Sequence, residues 1–374
     1  MIPKVLHVIY DDPANPWVGG GGAVRVRELY RHLRDRVDVT VATGNFPGAR
    51  DETVDGVPYI RLGAAKPYAW SRVTFGRAVT SLLRTAEYDA AIFDFSGYSP
   101  VFLPRNRPTG VTVHHTSEPT ARRRFGAVLS IVLGRVERLM MRRARRASAT
   151  SLASRRTIEE IAPGMPIDMV AAGVPEELFS LVRNPAGFLL YFGRLDIFHK
   201  GLDTLLEAVA ILARDRPGIE IRIAGRGKDL DRVGVLVRSL GITGNVRLIG
   251  AVSDAERNEL LAGAAVQLMP SRFEGFGLAA AEAMAAGVPL VASDVGSLPE
   301  VVDAPRGGVL VPAGDPQSLA DATARLLDDP GLLQELSQSA RVSARRFRWA
   351  VVADAHLQFI QNIAATAAHS RLIA

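Results

Sequence analysis

Glu274 and Glu282 lie eight residues apart in SRFEGFGLAAAEAMAAGVP (271–289), a stretch otherwise rich in alanine and glycine. An ordinary buried helix has no need of two acids. At about 100° per residue the two are about 80° out of register, so they do not share one helical face. That objection falls away if Glu274 lies in the glycine-punctuated loop SRFEGFG and Glu282 in the helix LAAAEAMAA. Each carboxylate then reaches a different part of one ligand. A carboxylate suits a vicinal diol, from which it accepts two hydrogen bonds. The amides of Gly275, Phe276, Gly277 and Leu278, at a helix start, suit phosphate between the acids. Acid, amide nest and acid match sugar, diphosphate and ribose in that order. Glutamate pairs at this spacing also arise by chance, so the spacing alone does not choose.

Three other stretches follow apolar runs and carry reactive groups. In GRLDIFHKGLDTLLEA (193–208), Arg194 and Lys200 bracket a short loop, and a helix begins near Asp203. A guanidinium, an ammonium and a helix start together suit a diphosphate. Two solvated surface charges are the plainer reading, although Lys4, Lys66, Lys200 and Lys228 are the only lysines in the chain. The glycines of GGGG (19–22), Gly20 and Gly21 among them, let backbone approach a ligand, or simply form a loop tip. No GxGxxG accompanies them, which argues against an ordinary dinucleotide turn. GVTVHH (110–115) ends in His114 and His115, with Ser117 and Glu118 just beyond. A histidine there donates a hydrogen bond, works as an acid or base, or is merely structural. IAGRGKD (223–229) reads as a strand-to-helix turn.

The elements that position these residues alternate. Apolar runs at 4–10, 37–43, 57–62, 89–94, 110–115 and 147–152 predict strands in the first half. Runs at 187–193, 219–225, 246–250, 265–270, 288–293 and 307–312 predict a second set, with helical stretches such as 203–215 between them. This rhythm implies α/β architecture: two doubly wound parallel-sheet domains, with ligands beyond the carboxyl ends of the strands in a central cleft. The link is expected near 177–187, around NPAG, and a last helix from about Phe347 to Ala364 is free to pack back across the first domain. The 374 residues are too many for one compact core. The absence of cysteine excludes disulfides, thiolate nucleophiles and Cys-ligated metal sites. The N-terminal MIPKVLHVIY reads as a strand, not a signal peptide, and no segment has the roughly 20 apolar residues of a membrane span. A cytoplasmic chain, or one peripheral on the inner face of a membrane, is expected. The net charge of +6 favours anionic partners.

In this order the pieces resemble the GT-B glycosyltransferases of the large retaining family 4. The matching stretches are GGGG before a helix, TVHH, FGRLDIFHKG, IAGRGKD, EGFGLAAAE and AMAAGVPLVASDVGSLPEVV, and RFRWAVVADAHLQFI resembles the closing helix. The resemblance covers essentially the whole chain and is strongest over 187–312. It implies two Rossmann-like domains: residues 1–182 for the acceptor, 183–346 for the nucleotide sugar, and 347–374 packing back on the first. It implies a retaining hexosyl transfer from a UDP- or GDP-linked sugar to a sugar, lipid-linked or small-molecule acceptor. Arg194 and Lys200 would hold the diphosphate, Glu274 the donor-sugar hydroxyls and Glu282 the ribose. Gly275, Phe276, Gly277 and Leu278 would offer amides, as would Gly20 and Gly21. The base would stack near Val252, and His114 would sit beside the reacting sugar. Two departures stand out: Lys200 follows Arg194 by six residues, one more than the common form, and HH replaces histidine followed by an acid. The catalytic set would then be His114, Glu274, Arg194 and Lys200, with no cofactor and no essential metal. A sugar-nucleotide 2-epimerase, a natural-product glycosyltransferase and a non-catalytic sugar-nucleotide-binding subunit are the alternatives.

Residues 121–147 place apolar residues at helical spacing among Arg124, Arg135, Arg138, Arg142, Arg145 and Arg146. Such a helix lies on an anionic membrane or packs its apolar side into the core. Gly126 and Gly134 weaken its continuity. Aromatic residues are not interleaved with the arginines, so nucleic acid is not an expected partner.

Overall fold

The computed structural model describes residues 2–17, 20–95, 99, 101–114 and 118–373, with backbone only for 118–125, 127–129, 133 and 367–373. It divides into two compact units, Met1–Gly173 with Trp349–Ala374, and Val174–Arg348.

The first unit is built on eight strands: β1 (Lys4–Val8), β2 (Asp38–Gly44), β3 (Glu52–Val54), β4 (Val57–Leu62), β5 (Ala90–Asp94), β6 (Thr109–Val113), β7 (Arg146–Ala149) and β8 (Ile167–Met169). Their order is β3-β4-β2-β1-β5-β6-β7-β8. All neighbours are parallel except β3 and β4. The central strands read as unbroken apolar runs because helices cover both sheet faces, leaving no wet side to alternate with. One face packs on Phe75, Val79, Leu83 and Met140, and the other on Val26, Leu29 and Leu33. The closing helix, Trp349–Ile373, joins that second face. Its buried Trp349, Val352, His356, Ile360 and Ile363 recur at three- and four-residue steps. Gly173 makes room for it, since a Cβ there would fall 2.3 Å from the Trp349 ring.

The second unit carries β9 (Phe188–Phe192), β10 (Ile221–Ala224), β11 (Val246–Gly250), β12 (Ala264–Met269), β13 (Leu290–Ser293) and β14 (Gly308–Val311), ordered β11-β10-β9-β12-β13-β14 and parallel throughout. In both sheets the winding reverses beside the first strand, between β1 and β5 and between β9 and β12. Such switch points open a crevice at the strands' carboxyl ends.

Three expectations change. The segment 177–187 is not a free link. Residues Glu176–Ser180 form a 3-10 turn, and Arg183 donates to the carbonyls of Gly287 and Ala264, so the chain is already part of the second unit. The closing helix starts at Trp349, and Phe347 instead ends a 3-10 turn and packs on Phe276. The helix expected over 121–147 runs Glu118–Met141 and is broken at Gly126 (φ 80°, ψ 173°). Beyond it, Arg142, Arg143 and Arg145 donate to the carbonyls of Ile161, Leu103 and Arg105, and Arg146 already lies in β7. Burial of Ala147, Ser148 and Ala149 as a sheet strand outweighs continuing the helix.

Candidate active site

In the second unit the site is assembled where β9 and β12 run side by side. After β9 the chain turns through Gly193 and Arg194, and Asp196 caps a single helical turn, Ile197–Lys200. Its Oδ1 accepts from the backbone amide and the ring Nδ1 of His199, both at 3.0 Å. Burial works against that charge, but these two bonds hold the Asp196 carboxyl down at about 2. The extra residue between Arg194 and Lys200 is thus absorbed by a capped turn rather than an open loop. After β12 the loop folds back: the amides of Arg272 and Phe273 both donate to the carbonyl of His199, and Arg272 pairs with Asp203 at 2.8 Å. These bonds bring Lys200 and Glu274, 74 residues apart, to 2.5 Å between Nζ and Oε2. Ser271 Oγ donates to the same Glu274 oxygen at 3.3 Å. Arg194 is exposed and has no carboxylate partner among the described residues, which leaves its guanidinium free for an anion.

Glu274 lies in the loop, and the helix begins at Leu278 after Gly277, which takes a left-handed conformation. Among the described residues, the amides of Phe276, Gly277 and Leu278 donate to no protein group. Glu282 sits one turn along that helix and is nearly buried. Burial pushes its carboxyl up to about 7, partly offset by Arg257, whose Nη1 stands 3.6 Å from Oε1. Val252 follows β11 at the edge of the same sheet and is half-buried.

In the first unit, Gly20 precedes the helix Gly21–Leu33 and accepts the amides of Ala23 and Val24. His114 follows β6 and is about a quarter exposed, and its Nε2 lies 3.0 Å from Asp94 Oδ2 at the end of β5. Asp11, just beyond β1, has its carboxyl raised by burial, against the pull of Arg72. His115 and Ser117 lie outside the described residues.

Sequence reasoning missed Arg257, Asp94 and Asp11. A signal existed for two of them. Asp94 closes the strand run DAAIFD and Asp11 follows KVLHVIY, so both are acids at carboxyl ends beside a switch point. Nothing in the helical stretch around Arg257 marks it as the partner of Glu282. Among the described residues no group of three or more His, Cys, Asp or Glu side chains is placed to hold a metal ion.

Residues 176–343 match the family model described as Glycosyl transferases group 1, and residues 19–178 match Glycosyltransferase Family 4. The chain belongs to the family 4, group 1 glycosyltransferases. Glycogen synthase of Mycobacterium tuberculosis is 37% identical to it over 177 residues, 47% of this chain and 42% of that protein. This family 4 chain spans about half the length of the curated relatives it matches. Among solved structures, sucrose-phosphate synthase from Thermosynechococcus elongatus superposes with a TM-score of 0.80 at 22% identity, covering 97% of this chain and 100% of that one. HepE of Anabaena, solved in complex with UDP and glucose, gives a TM-score of 0.74 at 19% identity over 96% of this chain and 99% of that one. The two Rossmann-like units of the family 4 chain have the GT-B fold.

Proposed function

We propose that the chain moves a hexosyl unit from a UDP- or GDP-linked sugar to an acceptor hydroxyl with retention of anomeric configuration, in bacterial polysaccharide, glycolipid or glycoconjugate synthesis. The observation that carries this reading is the order of groups at the β9/β12 switch point. It runs Arg194, Lys200 against Glu274, the unoccupied amides of 276–278, then Glu282. Cations and amides there suit a diphosphate, and a carboxylate on either side suits hydroxyl-rich groups. Arg194 and Lys200 stabilise charge developing on the leaving diphosphate. Glu274 takes hydrogen bonds from the transferred sugar and Glu282 from the ribose, with the base near Val252. His114, with the Gly20 and Gly21 backbone, serves the sugar and acceptor side. The acceptor oxygen attacks the face the diphosphate leaves, and the departing phosphate takes the acceptor's proton. Neither glutamate is then a glycosidase-type nucleophile. The complex of HepE with UDP supports a uridine donor among the two.

Among the described residues no helix is long and apolar enough to cross a membrane. A lipid-linked acceptor draws some support from Ile131, Val132 and Leu139, which stand exposed around Arg135 on the helix 118–141. This face would rest on an anionic inner leaflet from the cytoplasmic side.

The deciding experiment incubates the protein with a panel of UDP- and GDP-sugars, with and without acceptors, and measures released nucleotide and product. Acceptor-dependent release with a retained anomer is expected. Epimerised donor without transfer would identify an epimerase, and tight binding without turnover a binding subunit.

The Glu282 carboxyl supplies a second test. Its ionised form is the much stronger acceptor for both ribose hydroxyls, and burial in the free protein pushes its carboxyl up to about 7. Nucleotide affinity should therefore fall about tenfold for each pH unit below 7, with a proton released on binding. Glu282→Gln should flatten that dependence. Titration calorimetry in two buffers of different ionisation enthalpy reads both, and proton-neutral binding by the wild type would remove Glu282 from the ribose.

A further inference from the structure

Behind His114 runs a chain of buried polar groups that the transfer scheme does not use. Asp94, 3% exposed, is approached on Oδ2 by His114 Nε2 and on Oδ1 by His7 Nε2 at 3.2 Å. The other nitrogen of His7 lies 2.7 Å from the Tyr30 hydroxyl, and that hydroxyl lies 3.3 Å from His356 Nε2. His7, Tyr30 and His356 are fully buried. They come from β1, from the helix behind the glycine loop and from the closing helix. His356 Nδ1, at the far end of this run of groups, has no hydrogen-bond partner among the described residues. Among the described residues, the buried Arg25 and the partly buried Asp11 are the other charged groups that act on Asp94.

Hydrogen-bond bookkeeping gives this chain one direction. Burial opposes the charge on Asp94, but the two histidines hold its carboxyl well below the usual range, so it stays ionised and only accepts. Both facing Nε2 atoms must then carry protons. If His7 is neutral, its Nδ1 is a lone pair that accepts the Tyr30 hydroxyl proton, and the Tyr30 oxygen accepts Nε2–H of His356. The unpartnered Nδ1 of His356 is then a bare acceptor. The reverse direction would bury an orphaned N–H there and require a charged His7 beside the charged Arg25. An unmade donor is the rarer and costlier defect.

We infer that Asp94, held by His7, Tyr30 and His356, is a positioning residue that locks His114 in its Nε2–H tautomer. In the neutral ring, His114 Nδ1 is then the accepting atom. On the transfer reading above, on which only this last step rests, it takes a hydrogen bond from a donor-sugar hydroxyl and does not protonate the sugar. An Asn at 94 offers one accepting and one donating atom, so it forces one of the two histidines into the opposite tautomer. The conserved shape leaves nucleotide binding in the second unit untouched.

The test is nitrogen-15 NMR of the full chain labelled at histidine, with the His114 signal assigned by its loss in His114→Gln. The wild type is expected to show His7 and His114 both protonated at Nε2. Asp94→Asn is expected to move one of them to the Nδ1–H form. It should lower kcat by roughly 10- to 100-fold, the scale on which orienting partners act elsewhere, with the donor KM within about twofold of wild type. Wild-type His114 protonated at Nδ1 would overturn the inference, as would an Asp94→Asn protein with both tautomers and kcat unchanged. The wild-type spectrum needs neither substrate nor a folded variant. An inactive wild type with the expected tautomers would therefore sink the transfer reading and leave the role of Asp94 standing.

Discussion

Lys200→Ala is expected to lower kcat/KM for transfer by roughly 10²- to 10³-fold in a folded protein, the scale for losing one charge-stabilising group at a leaving group. The Lys200 ammonium contacts Glu274 at 2.5 Å, and both side chains are largely buried, 17% and 11% exposed. Removing one partner leaves the other as an unpaired charge in a poorly solvated place. The two deletions should therefore differ in kind. Without Lys200, the Glu274 carboxylate faces the incoming diphosphate with nothing to offset it, so nucleotide binding weakens along with turnover. Without Glu274, the freed ammonium still attracts phosphate. Glu274→Ala should bind nucleotide at least as well as wild type while losing kcat by a similar factor, because on the proposed transfer Glu274 is the acceptor for the sugar hydroxyls. A double-mutant cycle on nucleotide affinity, read by calorimetry, separates pairing from ligand contact. Near-wild-type transfer in both single variants would sink the site assignment.

Gly201→Ala should cost about 3 kcal/mol of stability and most of the activity. Gly201 ends the Lys200 turn at φ 64°, ψ 35°, a left-handed conformation that costs an alanine about 1 kcal/mol. A Cβ there would also fall 2.0 Å from the carbonyl oxygen of Pro270, at the end of β12. That atom is backbone and has no rotamer to escape into, so the β9 and β12 loops must part. They are the loops that bring Lys200 to Glu274. Gly241→Ala is the control: its φ is 70°, but nothing lies within 4 Å of the added carbon. It should lose only the conformational part, about 1 kcal/mol, and keep full activity. Denaturant unfolding of both variants gives the difference, and equal losses would show that the contact with Pro270 relaxes freely.

The sheet interiors were legible because parallel strands covered on both faces appear as short unbroken apolar runs. Every such run that was marked became a strand within a few residues of its expected ends. β3 and β8 escaped notice for the converse reason. Each has three residues and is half-exposed at a sheet edge, so burial imposes no pattern on its letters. The helix over 121–147 misled because arginine and alanine suit a helix as well as they suit the end of one. The apolar run at 147–152 already marked the strand Arg146–Ala149, and its pairing with β6 and β8 sets where the helix must have ended.

The candidate site divides the same way. Its local parts, a glycine loop before a helix, a loop glutamate and a helical glutamate, follow from residue types and spacing, because turn chemistry and helix starts are set within a few residues. Its pairings do not. That Lys200 meets Glu274, that Arg257 meets Glu282, and that Asp94 stands between His7 and His114 are consequences of strand order. Placing β9 beside β12, or β1 beside β5, is decided by the burial of whole sheet faces. No local stretch of letters contains that sum, so the sequence alone determined which groups were available and the tertiary structure decided which of them touch.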